Sequence, residues 1–378
     1  MINYIIWNGS PVLFSAGSIV VRWYTILFIT GVLISRFILM RIYKNEGKPT
    51  SEVETLTRYV FIAAVIGSRL GYVIFYEPDL IVSKPLEIFL PVAFQPNFHF
   101  TGLEKLSNHG AVLGILIGLW IYCRKTNPGQ NYLQVLDRIF ISVALVTVLI
   151  SLGYFFNGEP IGKPTESKTG VVLTRPVGDG LLKVPCCIMR TPGGKNPLDL
   201  IHVKKDTERP DSTGGHSPII FYLFFKPGAT EQMVNEFLIG DVKTYLHDRS
   251  RFIYESGAEP LHFTIFQEKT DVFTARVRTI GIARHPTAVY EAIFFAGVFI
   301  WLLWYWNKNK ATTTPGRITG LFAVVTWFVH FMFGFIKEKQ VSFENDMLLS
   351  MGQLLSIPIF IAGVFILIIS FRKQNSRP

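Results

Sequence analysis

Seven windows of mostly apolar residues recur along the chain, roughly 19 to 40, 58 to 76, 109 to 123, 139 to 157, 287 to 306, 318 to 336 and 351 to 371. Each approaches the roughly 20 residues that carry a helix across the hydrocarbon of a bilayer at about 1.5 Å per residue, so the pattern predicts seven transmembrane helices. The third is the shortest, with a clean run only from Gly110 to Cys123. Between the fourth and fifth windows the pattern changes. Residues 176 to 217 are rich in Gly, Pro and charge; Ile219 to Phe225 (IIFYLFF) then reads as a buried strand, and ATEQMVNEFLIGDVKTYLHD as an amphipathic helix with Met233, Phe237 and Leu238 on one side. LHFTIFQ and DVFTARVRTIGI follow as alternating strands. The expected fold is an all-α polytopic membrane protein carrying a small inserted α/β head: helices one to four over 1–165, the head over 166–282, and helices five to seven over 283–378.

Composition agrees with that reading. The 378 residues are 49% hydrophobic, 14% aromatic and 17% charged, with a mean hydropathy of +0.34, which excludes a disordered chain and argues against an ordinary soluble fold. The net charge of +10 is explained by where the bases fall. Arg41, Lys44 and Lys48, then Arg124, Lys125 and Arg138, then Lys308, Lys310 and Arg317, and the tail residues Arg372, Lys373 and Arg377 occupy alternate loops, which the positive-inside rule places in the cytoplasm. Glu77, Asp79, Glu87 and Glu104, and later Glu338, Glu344 and Asp346, mark the opposite side. The N-terminus is then expected outside, the C-terminus inside, and 158 to 286 outside. With the bases assigned to topology and no phosphate-cradling glycine motif, no nucleic acid and no soluble cofactor are expected. The N-terminus has no basic segment followed by a small-residue cleavage site, so no cleaved signal peptide is expected. Cys123, Cys186 and Cys187 make neither a disulfide scaffold nor zinc-ligand spacing, so free thiols and no metal site are expected.

Once the helices are oriented, the unusual polar residues fall at one depth toward the outer leaflet. Tyr24 lies about a turn into span one and Arg69 in the outer half of span two; His109 and Gly110 open span three. Asn157, Gly158 and Glu159 close span four, His285, Pro286, Tyr290 and Glu291 open span five, and Lys337 ends span six. Ionisable groups cost about 2.5 to 3.5 kcal/mol each at a helix centre, so they gather around a bundle interior or wet cavity, here one suited to a polar lipid headgroup. Simpler readings compete. Arg36 reads as a snorkelling arginine, His330 as a hydrogen-bonded core histidine, and Trp301, Trp304 and Trp306 as an interfacial belt. Arg69 and Glu291 could form a structural ion pair, and Lys337, Glu338 and Lys339 could be interface anchors.

Six strings, VRWYTILFITGV, IGSRLGYVIFYEP, NHGAVLGILIG, GYFFNGEPIGKPT, RHPTAVYEA and SMGQLLSIPIFIAG, occur in one order. Together they resemble the prolipoprotein diacylglyceryl transferase family of bacterial inner-membrane enzymes, over all seven spans, with 166 to 282 falling outside the resemblance. The resemblance implies transfer of the diacylglyceryl group of phosphatidylglycerol to the lipobox cysteine thiol in a prolipoprotein signal peptide, with glycerol phosphate released and no cofactor. It also implies roles for particular residues. Tyr24 matches the family tyrosine of span one, His109 the histidine of its His-Gly motif, Asn157, Gly158 and Glu159 its Asn-Gly-Glu, and Gly162 the glycine three further on. His285, Pro286, Thr287, Tyr290 and Glu291 match its His-Pro-Ser/Thr-Gln-x-Tyr-Glu, with Ala288 in place of Gln, and Lys337 lies near an arginine that precedes the last span. Two positions depart: Ser151 replaces the arginine used on the lipid phosphate, and Tyr154 replaces an asparagine. An arginine fork offers a phosphate two charge-assisted hydrogen bonds where serine offers one neutral donor.

Under this resemblance His109 is the expected base for the cysteine thiol, with Glu159 or Glu291 orienting it, and Arg69, Lys337 and Arg284 are the cations left for the departing phosphate. Two readings stay open: a working transferase with a rearranged phosphate clamp, or a catalytically silent relative that binds phospholipid or lipoprotein precursors in the same cavity. A transporter finds no support, since no inverted repeat is evident.

Overall fold

The computed structural model describes residues 4–16, 19–83, 92–93, 99–100, 106–125, 130–159, 161–184, 196–209, 214–267, 272–310, 313–339 and 341–375. Cys186, Cys187, Glu87 and Glu104 lie outside them. In chain order the main elements are strand β1 (Ile5–Trp7), strands β2 (Val12–Ala16) and β3 (Ile19–Arg22), and helices α1 (Trp23–Asn45), α2 (Ser51–Tyr76), α3 (Asn108–Lys125) and α4 (Tyr132–Asn157). Next come β4 (Val171–Leu173), α5 (Arg175–Leu181), β5 (Leu198–Lys205), β6 (His216–Phe225), α6 (Glu231–Phe237), a π-helical turn Leu238–Val242, α7 (Lys243–Asp248), β7 (Ile253–Tyr254), β8 (His262–Gln267) and β9 (Phe273–Arg284). Helices α8 (Thr287–Asn309), α9 (Arg317–Phe333) and α10 (Met351–Asn375) follow. The chain divides into two compact units, one of 1–23 with 154–288 and one of 24–153 with 289–378.

The second unit is helical. Five helices, α1, α2, α4, α8 and α10 as far as Gln374, are long and apolar enough to cross a membrane, with mean hydropathies from 1.6 to 2.7. The windows at 109 to 123 and 318 to 336 fall on the shorter α3 and α9. Helix α9 ends at Phe333 rather than 336, and Gly334 just beyond it packs against Gln353: a Cβ there would stand 2.6 Å from Gln353 Cδ. Helices α2 and α3 approach through a stripe of small residues. A Cβ on Gly71 would lie 2.5 Å from Gly110 Cα, and one on Gly67 would lie 2.7 Å from Gly114 Cα. This Gly-x-x-x-Gly spacing lets membrane helices touch backbone to backbone.

Polar groups are buried at several points of this unit. Asp137 accepts from Thr319 N and Oγ1, both at 2.7 Å, and from Gly316 N at 2.8 Å, so the α4 carboxylate satisfies buried amides at the start of α9 that have no partner within the helix. Arg138 and Arg317, counted as loop charges from the sequence, are instead buried. Arg138 pairs with Glu46 at 2.6 Å, and Arg317 bonds Ser370 Oγ at 3.2 Å and Gln374 Oε1 at 2.6 Å. Trp306 is buried and donates to Glu46 at 3.1 Å, which removes it from the expected belt. Arg36, expected to snorkel, holds Glu54 in an exposed pair at 2.6 Å.

The first unit is built on a seven-stranded sheet. Its order is β1-β4-β9-β6-β5, with β7 and β8 also pairing β9; β1 runs parallel to β4 and the other pairings are antiparallel. The IIFYLFF run lies in β6 and the two alternating segments in β8 and β9. The expected single helix is α6 and α7 joined through the π turn. Val234, Phe237, Leu238, Val242 and Leu246 of that stretch form one buried cluster with Phe221, Leu223, Phe225, Ala275 and Val277 of the sheet. Burying each large apolar side chain contributes about 1.5 to 3 kcal/mol, which holds this layer together. The N-terminal strand β1 belongs to the same sheet, although its three residues carry no periodic signal of their own.

Candidate active site

In the helical unit the small-residue contact between α2 and α3 sets the position of His109. Ser107 N bonds Ser68 O of α2 at 3.0 Å, and Ser107 Oγ accepts from Gly110 N at 3.2 Å, capping α3 one turn later. His109 is 4% exposed. Its ring centroid lies 4.7 Å from that of Trp327 and 5.4 Å from that of His330, and Trp327 and His330 are also 5.4 Å apart. The imidazole bonds the backbone of Gly352. Its Nε2 is buried and has no hydrogen-bond partner.

Behind this ring lies an ionic chain. His330 Nδ1 is 3.7 Å from Glu291 Oε1, and Lys337 Nζ donates to the same oxygen at 2.5 Å. Glu291 is 6% exposed, so its charge is held by these two groups rather than by water. The alternative of an Arg69–Glu291 ion pair is not what the structure shows at Glu291: Lys337 and His330 are its partners. Glu291 reaches His330 and not His109. His330, read from sequence as a core histidine, stands inside this cluster. No local signal could have placed it there, because it sits mid-helix among apolar residues. Arg69 lies half-buried on α2, and Ser151 lies on α4 with 2% exposure. Tyr24 packs where α1 meets α4, since a Cβ on Gly153 would stand 2.9 Å from its Cα. Tyr290, beside Glu291 on α8, is half-buried.

In the sheet unit, Asn-Gly-Glu forms a helix stop. Gly158 has φ +73°; its N–H reaches Phe155 O and that of Glu159 reaches Tyr154 O, both at 3.1 Å. These are the two bonds of a Schellman cap, which favours glycine at the left-handed position. Tyr154 lies in the last turn of α4, and the cap fixes Asn157 half-buried and Glu159 exposed. Asn157, Gly158 and Glu159 line a cavity of about 290 Å³. Gly162 lies against the end of β9: a Cβ there would stand 2.8 Å from His285 Cβ. His285 N bonds Lys163 O at 3.1 Å, and burial pushes the His285 imidazole below its ordinary value. Arg284 donates to Gly162 O at 2.8 Å and Arg251 O at 2.5 Å, so this expected phosphate cation is engaged with backbone.

Among the described residues no group of three or more His, Cys, Asp or Glu side chains is placed to hold a metal ion.

The sequence profile of the family described as Prolipoprotein diacylglyceryl transferase matches residues 11–369. The phosphatidylglycerol–prolipoprotein diacylglyceryl transferase of Tolumonas auensis is 26% identical over 368 residues, covering 97% of this chain and 98% of that protein. A protein of the same name from Bacteroides fragilis is 26% identical over 371 residues, covering 98% and 96%. Another from Wolbachia pipientis subsp. Culex pipiens is 32% identical over 176 residues, covering 47% and 62%. The long matches run through 166–282 as well, beyond the six motif strings that carry the resemblance.

Proposed function

The chain belongs to the prolipoprotein diacylglyceryl transferase family, and we propose that it transfers the diacylglyceryl group of phosphatidylglycerol to the lipobox cysteine of a prolipoprotein. His109 Nε2 takes the thiol proton. The thiolate sulfur forms a bond to the glyceryl carbon, the bond from that carbon to the phosphate oxygen breaks, and glycerol phosphate leaves with the electron pair. A free cysteine has a pKa of about 8.5, so a neutral imidazole raises the share of thiolate at neutral pH. Glu291, which stands behind His330, offsets the positive charge that His109 acquires, while Lys337 and Arg69 balance charge on the leaving phosphate. Ser151 supplies a hydroxyl where the family has a guanidinium, so these two cations carry that duty. The family resemblance alone adds Tyr24 and Glu159 as catalytic candidates and Tyr154, Asn157, Gly158, Gly162, His285, Tyr290 and Glu291 as substrate-binding ones.

The observation that carries this reading is the unpartnered Nε2 of His109 beside the His330–Glu291–Lys337 chain. The setting belongs with it: seven spans in a bacterial inner membrane, the N-terminus outside and the C-terminus cytoplasmic, with 166–282 as an external head between 1–165 and 283–378. To test it, the purified protein is incubated with phosphatidylglycerol and a lipobox peptide, and the cysteine is inspected for added diacylglyceryl mass. Product is expected, and its loss in His109→Asn. The buried Ser151 favours a second reading, the silent relative that binds without transferring. No product from the native chain, with product after Ser151→Arg and Tyr154→Asn together, would establish that reading instead.

A further inference from the structure

Among the described residues Trp7 Nε1 and Asn157 Oδ1 are buried side-chain atoms without a hydrogen-bond partner, and both sit on residues lining a cavity of the sheet unit. Buried polar groups in native proteins are nearly always bonded, so two such atoms, a donor and an acceptor, around one space call for a ligand. We propose that this cavity binds an extended stretch of the acceptor polypeptide, away from its reacting cysteine, with peptide C=O and N–H groups meeting Trp7 and Asn157. The inference rests on the transferase reading for its source of polypeptide.

The chemistry of the walls selects this occupant. An indole N–H and an amide oxygen are a neutral donor and a neutral acceptor, the complement of a peptide group. Trp7, Phe156, Leu173 and Phe252 give the rest of the lining an apolar character suited to one side chain. The charged lining is two carboxylates, Glu159 and Asp179, against one guanidinium, Arg175. That guanidinium already holds Asp179 at 2.8 Å. A phosphate headgroup would therefore meet a net negative lining, whereas a neutral or basic peptide would not. Size agrees: about 290 Å³ is the room of roughly ten water molecules at about 30 Å³ each, enough for a side chain and its backbone.

The test uses the full-length protein in nanodiscs and a synthetic signal-type peptide whose single cysteine is replaced by serine, with benzoylphenylalanine two positions beyond it. Ultraviolet cross-linking followed by peptide mapping is expected to place adducts within 7–11 or 175–179. Excess unlabelled peptide should remove them. Trp7→Phe keeps the ring and deletes the donor; it should weaken half-maximal cross-linking by roughly two- to tenfold, the worth of one neutral hydrogen bond. Asn157→Ala deletes the unpaired acceptor on a half-buried residue and gives a second variant that should also weaken it. Adducts confined to other segments, competition by phosphatidylglycerol vesicles but not by peptide, or unchanged binding in both variants would overturn the proposal. Because no transfer occurs in this assay, it stands or falls separately from the diacylglyceryl mass test.

Discussion

A methyl group at Gly71 tests whether the contact between α2 and α3 sets the position of His109. The added Cβ would stand 2.5 Å from Gly110 Cα and 3.0 Å from Gly110 N, while carbon pairs rest at about 3.5 to 4.0 Å. Relief requires the helices to part by about 1 Å. Overpacking of this kind costs roughly 1 to 3 kcal/mol. Alanine also gains about 1 kcal/mol over glycine in a helix interior, which would blur the result, so the comparison is Gly297→Ala. Gly297 is interior to α8 and has nothing within 4 Å of its Cβ position, and the propensity gain cancels between the two variants. Thermal unfolding in one detergent should then separate them by roughly 2 to 12 °C, taking about 2 to 4 °C per kcal/mol. Gly110 adjoins His109, and a displacement of about 1 Å at a reacting group can cost on the order of 100-fold in rate. Diacylglyceryl transfer should fall by about that factor in Gly71→Ala and stay near native in Gly297→Ala. Equal unfolding temperatures with native transfer rates in both would show that the backbone contact neither constrains the helices nor positions the base.

Three further outcomes follow from particular contacts. Glu291→Gln strips the carboxylate from a buried pair and should destabilise by about 3 to 5 kcal/mol; adding Lys337→Met should recover part of it, and a double-mutant cycle in thermal unfolding with no coupling would dismiss the pair. Gly158→Ala should cost about 1 to 2 kcal/mol from backbone strain alone, since only Pro176 Cγ at 3.8 Å approaches the new methyl, and Gly158→Asn should cost less; denaturant midpoints in the two variants check the order. Burial lowers the His285 pKa, so the unfolded chain binds its proton first. Stability should therefore fall as pH drops through the ordinary histidine value of 6.5, and His285→Gln should flatten unfolding temperature between about pH 7 and 5.5; an unchanged slope would mean the ring is not desolvated.

Much of this protein could be read along the chain because its elements are encoded locally. A run of apolar residues long enough to span hydrocarbon becomes a helix wherever it is inserted, since unpaired backbone groups are too costly there. A run such as IIFYLFF, bounded by turn residues, has few alternatives to a buried strand. The order of motifs, too, is a property of the string, and it pointed to the family and to His109, Asn157, Glu159 and Glu291. Partners are another matter. Glu291 faces Lys337 and His330 rather than Arg69, Arg138 faces Glu46 rather than water, and Arg284 holds the backbone carbonyls of Gly162 and Arg251, because each depends on how distant helices and strands rotate and approach. Trp7 shows the same limit: three residues of β1 carry no period, and only pairing with β4 brings its indole to the cavity that also holds Asn157 and Arg175. Periodicity states which side of an element is apolar, whereas packing decides what that side, and the polar groups beside it, will meet.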